Sequence, residues 1–220
     1  MRARGKQSFI AREGWPVLLV LIVVALLLFK LLGALWSLPL WLAVIILGFL
    51  YRDPERRVPP LPLAVISPVD GTVVFVKQGR DPYMDRQAVR IRIQIHHLGI
   101  FGLRSPVEGK LLQQWLFKSG EGSDAPHLEH VGSNDDARHY VMWIQTDEQD
   151  DVILILEIAN SWQKPQCYVH VGERIGQGQR CGRTRFGGYV EIFMPANVRL
   201  DVGHGDRVSA GVSVLATMMH

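Results

Sequence analysis

Few side chains in this sequence stand where chemistry would need them. Asp70 sits in a Pro-x-Asp-Gly turn, "SPVDG" at Ser67–Gly71, where an aspartate commonly closes the turn on backbone amides. His96 and His97 are neighbours, and adjacent strand residues face opposite sides of a sheet, so one metal pocket seldom uses both. His127, His130 and His139 share an acidic stretch with Glu129, Asp135 and Asp136. Their spacing matches no standard zinc pattern, and no metal is expected. Cys167 and Cys181 are the only cysteines and lack CxxC spacing. They read as two buried thiols in a reducing compartment, with a structural disulfide left open. "GERIGQG" (Gly172–Gly178) and "FGG" (Phe186–Gly188) are glycine-rich but lack the strand-to-helix setting of a phosphate loop. No Gly-x-Ser-x-Gly elbow occurs. Taken singly, these residues define no catalytic centre.

The elements that must position them fall into two parts. From Trp15 to Tyr51 the only charged side chain is Lys30. Trp15–Leu35 would rise about 31 Å as a helix, enough for a hydrocarbon core of about 30 Å. Trp36–Tyr51 is shorter, with Gly33, Ser37 and Pro39 expected to make the bend. Arg2, Arg4, Lys6 and Arg12 precede this block, and Arg52, Arg56 and Arg57 follow it. Basic flanks favour the cytoplasmic side, so a transmembrane or re-entrant helical hairpin with both ends on that side is expected, rather than a cleaved signal peptide. The net charge of +3 is mild. Its placement beside the apolar block points to anionic lipid headgroups and not to nucleic acid. Residues 1–58 therefore read as a membrane anchor and residues 59–220 as a second domain.

That domain reads as mainly β. Short β-branched runs broken by glycine and proline give candidate strands at Ala64–Ile66, Gly71–Lys77, Ala88–Ile95, Gly109–Phe117, Tyr140–Thr146, Val152–Ile158, Val169–Val171, Tyr189–Met194 and Val212–Thr217. "RIRIQI" (Arg90–Ile95) alternates strictly, as a half-exposed strand should. Ser119–Arg138 reads as a long loop. "SPVDGTVV" and "GDRVSAGVSVLA" (Gly205–Ala216) share a turn chemistry resembling the barrel-sandwich carrier modules, without a lysine at a hairpin tip.

Ordered motifs run along most of the chain. The apolar hairpin is followed by "YRDPER" (Tyr51–Arg56), "SPVDG", "RSPVEGKL" (Arg104–Leu111), "SNDDAR" (Ser133–Arg138) and "VGERIGQ…GRTRFGGYVEIFMP" (Val171–Pro195). In this order and spacing they resemble the phosphatidylserine decarboxylases, in the short form found in bacteria and archaea. The resemblance implies a decarboxylase-like β-sandwich with barrel-sandwich elements behind the hairpin. It also implies a proenzyme that cuts itself at a Phe-Gly-Ser motif. The serine then becomes a pyruvoyl group that serves as electron sink for CO₂ loss, with an aspartate and a histidine assisting.

Against that pattern the sequence departs. The serine position is Gly188, the histidine of His-x-Asn-Arg-x-Pro falls on Phe101, and the other branch's histidine falls on Arg104. Of the implied triad only Asp70 remains. A hydroxyl nucleophile and its base are the parts such chemistry cannot lack. The expected protein is thus a noncatalytic family member without a pyruvoyl group or other cofactor. Its expected role is to bind a phospholipid headgroup, a membrane protein or a second copy of itself at the cell membrane, with Arg104 and Arg185 as ligand contacts and Arg52, Arg56 and Arg57 at the membrane surface. The alternatives are an active decarboxylase using another nucleophile, and a barrel-sandwich membrane adaptor.

Overall fold

Gly33 divides the apolar block. Its φ of 86° is one a side chain disfavours, and its N–H still donates to Phe29 O (3.1 Å), closing the last turn of the first helix. The computed structural model describes residues 14–51, 56–96, 102–118, 138–158, 166–183 and 187–219. Two compact units emerge, Met1–Arg56 and Arg57–His220. In the first, α1 (Gly14–Leu32) and α2 (Ala34–Leu50) pack on each other. The bend therefore comes at Gly33 alone. Ser37 and Pro39 lie inside α2, where Ser37 Oγ donates to Ala34 O (3.0 Å). Leu18 and Ala25 are buried on α1 and Ser37 on α2, whereas Val20, Leu31, Leu35, Trp36 and Ile45 are exposed. Helices this apolar on their outer faces suit a non-aqueous surrounding. Among the described residues only α1 is long and apolar enough to cross a bilayer; Ala34–Phe49 is shorter.

The second unit is built from strands: β1 (Ala64–Ile66), β2 (Gly71–Asp81), β3 (Arg86–Ile95), β4 (Gly102–Arg104), β5 (Gly109–Lys118), β6 (Arg138–Gln145), β7 (Asp151–Ile158), β8 (Gln166–Cys167), β9 (Arg174–Ile175), β10 (Arg180–Arg183), β11 (Tyr189–Pro195), β12 (Val198–Leu200), β13 (Arg207–Val208) and β14 (Val214–Met218). They form an antiparallel sheet in the order β13-β2-β3-β11-β7-β6-β5-β9, and two small sheets, β1-β14-β12 and β4-β10-β8. Val65, Leu215 and Met218 from one small sheet, and Leu103 and Cys181 from the other, share a core with Val73, Ile91, Ile93, Leu154 and Ile192 of the large sheet. The mainly β sandwich expected from the sequence is present.

Its order is a palindrome. β13, β2, β3 and β11 have β9, β5, β6 and β7 as counterparts, and β1, β14 and β12 have β4, β10 and β8. The repeat extends to atoms. In "SPVDG" Ser67 Oγ donates to Val69 O, and in "SPVEG" Ser105 Oγ donates to Val107 O, both at 2.7 Å. A Cβ on Gly71 would lie 2.2 Å from Gln94 O, and one on Gly109 would lie 2.2 Å from Gln145 O. Bulges interrupt β2–β3 between Val73 and Phe75, and β5–β6 between Leu111 and Gln113. "GERIGQG" repeats as "GDRVSAG" (Gly205–Gly211), with φ of 91° and 69° at Gly172 and Gly178 against 87° and 73° at Gly205 and Gly211. Residues Gly102–Arg183 thus form one complete repeat inserted between β3 and β11 of the other.

Two sequence expectations need correction. Val169–Val171 is not a strand, because the turn into Gly172 uses those residues to reach β9. Arg92 is not half-exposed but 1% exposed, since the sheet's outer face is covered as well. There Ala88, Val141, Ile153, Ile155 and Phe193 form a second cluster under Tyr83, Met84 and Trp143.

The close strand crossing at the two repeat glycines makes a test. Gly71→Ala and Gly109→Ala should each cost about 3 kcal/mol or more, the upper end for overpacking, because the obstacle is a backbone carbonyl that cannot rotate away. Denaturation of the purified variants checks this, with Gly79→Ala, where a Cβ meets nothing within 4 Å, as the mild control.

Candidate functional site

Three chain segments converge at one end of the large sheet: the turn before β2, the end of β3 and the start of β11. His96 N–H donates to Asp70 O (3.0 Å), and Ile95 N–H donates to Gly188 O (3.0 Å). The Asp70 carboxylate accepts the Ala210 N–H through Oδ1 (2.8 Å), tying its own turn to the one before β14. His96 is exposed, and its Nε2 lies 2.9 Å from Thr72 Oγ1. Asp70 and Gly188 are therefore brought to one corner, joined through Ile95, the last residue of β3, and His96 after it.

Gly188 is held at φ 106°, and a Cβ placed there would lie 2.5 Å from Glu157 O. The preceding Gly187 is also left-handed, at φ 76°. The backbone here is one that only glycine adopts without strain.

Arg104 behaves differently from the expectation of a ligand contact. It is 2% exposed, donates through Nη1 to Gly178 O (3.0 Å), and has Cδ 2.8 Å from the position of a Gly211 Cβ. Arg56 is partly exposed and Arg57 exposed. Phe101, Arg185 and Arg52 lie outside the described residues, as do His97, His127 and His130. His139 belongs to β6 rather than to a loop, and it is buried opposite Glu157.

Behind Gly188 runs a feature that motif reading missed. Arg92 Nη2 donates to Glu157 Oε2 (2.7 Å), and Arg92 Nη1 lies 3.1 Å from Glu191 Oε1. Arg90 grips Glu191 with Nε to Oε2 (3.0 Å) and Nη2 to Oε1 (2.8 Å). The Arg92 guanidinium also stacks 4.1 Å from the ring centre of Tyr189, the residue after Gly188. Glu157 is pushed above the usual carboxylate range, first by burial, with Arg92 pulling it back and Glu191 adding to the rise. The signal was in the sequence: arginines alternating at 90 and 92, and a lone glutamate inside each of two apolar strands.

The chain matches the family model described as phosphatidylserine decarboxylase over residues 47–216. It is 38% identical over 207 residues to the phosphatidylserine decarboxylase proenzyme of Nitrosomonas eutropha, covering 94% of each chain. It is 36% identical over 207 residues to that of Nitrosomonas europaea, and 36% identical over 210 residues to that of Ralstonia nicotianae, covering 95% of each. No solved structure matches it. The fold, the ordered motifs and these relatives agree, and the chain belongs to the phosphatidylserine decarboxylase family.

The ionic network predicts a pH signature. Arg92→Met should cost about 3–5 kcal/mol at neutral pH by leaving Glu157 and Glu191 undercompensated. A carboxyl whose folded pKa is raised contributes stability below its unfolded pKa and loses it as pH rises through the folded one. The variant should therefore regain part of its loss between pH 7.5 and pH 5. An equal deficit at both pH values would assign the loss to packing instead.

Proposed function

We propose that this chain is a membrane-anchored member of the family that does not carry out the decarboxylation and instead binds a phospholipid headgroup. The observation that carries this reading is position 188. Glycine there has no Oγ to attack the preceding carbonyl and no β-carbon from which a pyruvoyl group could form. The local backbone adds to this, since a β-carbon at 188 would meet Glu157 O at 2.5 Å. Phe101 at the histidine position supplies no base to take up a hydroxyl proton. These residues do not fit the family's prosthetic group, and no step through it is derived. Anchoring is supported by the apolar α1–α2 hairpin, and a cytoplasmic second unit by the basic residues on both flanks. What the relatives' name implies, recognition of a serine phospholipid, comes to this chain as binding without turnover.

Processing tests the reading directly. The purified protein should run as one uncut chain of 24.8 kDa, and carbonyl-reactive probes should leave it unlabelled. Gly188→Ser alone should also remain uncut and lose stability. A processed chain with a blocked N-terminus in the unmodified protein would restore the decarboxylase.

Anchoring has its own readout. After alkaline carbonate washing the full chain should stay with the membrane pellet, and a C-terminal reporter should register the cytoplasm. Release by carbonate would remove the anchor, and a signal from the opposite side would overturn the two-ended cytoplasmic hairpin.

A further inference from the structure

The internal repeat supplies its own comparison, because counterpart positions with different residues mark where the two halves diverge. In the inserted repeat, the row across the outer face of the large sheet starts at Arg174 on β9 and passes Lys110 and Gln145 to Asp151. In the other repeat the corresponding row starts at Arg207 on β13 and passes Thr72 and Gln94 to Tyr189. Val208 and Ile175 are the buried neighbours of the two arginines, so both guanidinium groups stand on the exposed side.

Their charges are handled differently. Arg174 is neutralised by Asp147, with Nη2 to Oδ2 at 2.6 Å, and lies 3.8 Å from Glu108 Oε1. The register places His96 where the inserted repeat has Asp147, since Gln94 and Gln145 are counterparts. Asp70 is the counterpart of Glu108, and its Oδ1 is taken by the Ala210 N–H. Arg207 thus lacks the acid that pairs with its counterpart, His96 standing in place of Asp147, and among the described residues it makes no ion pair. In place of Asp147 stands an imidazole joined to the hydroxyl of Thr72 (2.9 Å), the residue registered opposite Arg207. Where the inserted repeat closes its row with the Arg174–Asp147 ion pair, this one sets a guanidinium, an imidazole and a hydroxyl side by side with no ion pair to Arg207 among the described residues.

We propose that Arg207, Thr72 and His96 form a phosphate-binding site on the sheet's outer face, beside the corner that holds Asp70 and Gly188. A tetrahedral oxyanion suits a fixed guanidinium and a hydroxyl donor, and an imidazole adds a second cation when protonated. The phosphate is that of a phospholipid headgroup or of a small phosphate ester. The choice of the lipid rests on the function proposed above, but the anion site itself does not.

Binding to the full-length protein in neutral-detergent micelles tests this by calorimetry, with inorganic phosphate and with glycerophosphoserine as separate probes. Arg207→Ala should weaken both by at least tenfold. His96→Asp, which installs the other repeat's own neutralising acid, should do the same without lowering the melting temperature. Arg174→Ala, the counterpart, should leave both affinities unchanged. No binding of inorganic phosphate, or binding that survives Arg207→Ala and His96→Asp, would overturn the site. If glycerophosphoserine bound with equal affinity in both variants, the site would fall while the headgroup reading stood. If inorganic phosphate bound through Arg207 and glycerophosphoserine did not bind at all, the site would stand and the headgroup reading would fall.

Discussion

Ile66 donates its amide to Pro106 O and Arg104 donates its amide to Pro68 O, each at 2.9 Å. This reciprocal pair locks the two Ser-Pro-Val turns against each other, and the sandwich is assembled around it. Gly211 and Gly178 bring the later turns onto the same centre, with Gly211 N–H donating to Ser67 O (2.7 Å) and Gly178 N–H to Ser105 O (2.9 Å). Four turns distant in sequence are thereby tied together by backbone bonds. Buried backbone groups of this kind must be paired somewhere, and here the Ile66 and Arg104 amides pair across the two repeats while the Gly211 and Gly178 amides pair within their own. Each repeat thus relies on its counterpart to pair one amide and one carbonyl at its Ser-Pro-Val turn.

This arrangement explains what the sequence disclosed and what it withheld. Many strands were legible because apolar, β-branched runs bounded by glycine and proline are a local property: Ala64–Ile66 is β1 itself, and Gly109–Phe117 is β5 less its last residue. The two-residue strands β8, β9 and β13 carry no such pattern, since their pairing is imposed by the turns on which they sit. The repeat was present in letters, "SPVDG" and "SPVEG", "GERIGQG" and "GDRVSAG", and a search for internal similarity reads it directly. Arg92 was misread because alternation reports which face a side chain occupies, not whether that face is wet. A second apolar cluster and two glutamates bury it, and neither follows from the strand that contains it. At the site, Asp70 and Gly188 were legible as motif positions. The Arg92–Glu157–Glu191 network was not, because its members come together only in the sheet register.

The buried charges bear on the corner where the family's chemistry is placed. Two arginines and two glutamates offset one another in a poorly solvated setting, where such a cluster adds little net stability but is costly to break. It fixes the separations of β3, β11 and β7, the strands that carry Ile95, Tyr189 and Glu157 around Gly188. The strands around position 188 are thus held from behind by ionic contacts.

The motif positions differ in how far this frame depends on them. Phe101 and Gly188 stand on the β3–β4 and β10–β11 connections, the two points where one repeat is inserted into the other. Gly188 is no part of the apolar core, yet a β-carbon there would meet Glu157 O at 2.5 Å. Asp70 is in a different position. Its carboxylate holds the Ala210 amide and its carbonyl takes the His96 amide, so two of the structure's joints pass through it. An alanine there would orphan a backbone donor, a cost of roughly 1–3 kcal/mol. Asp70 thus carries a structural duty in this fold.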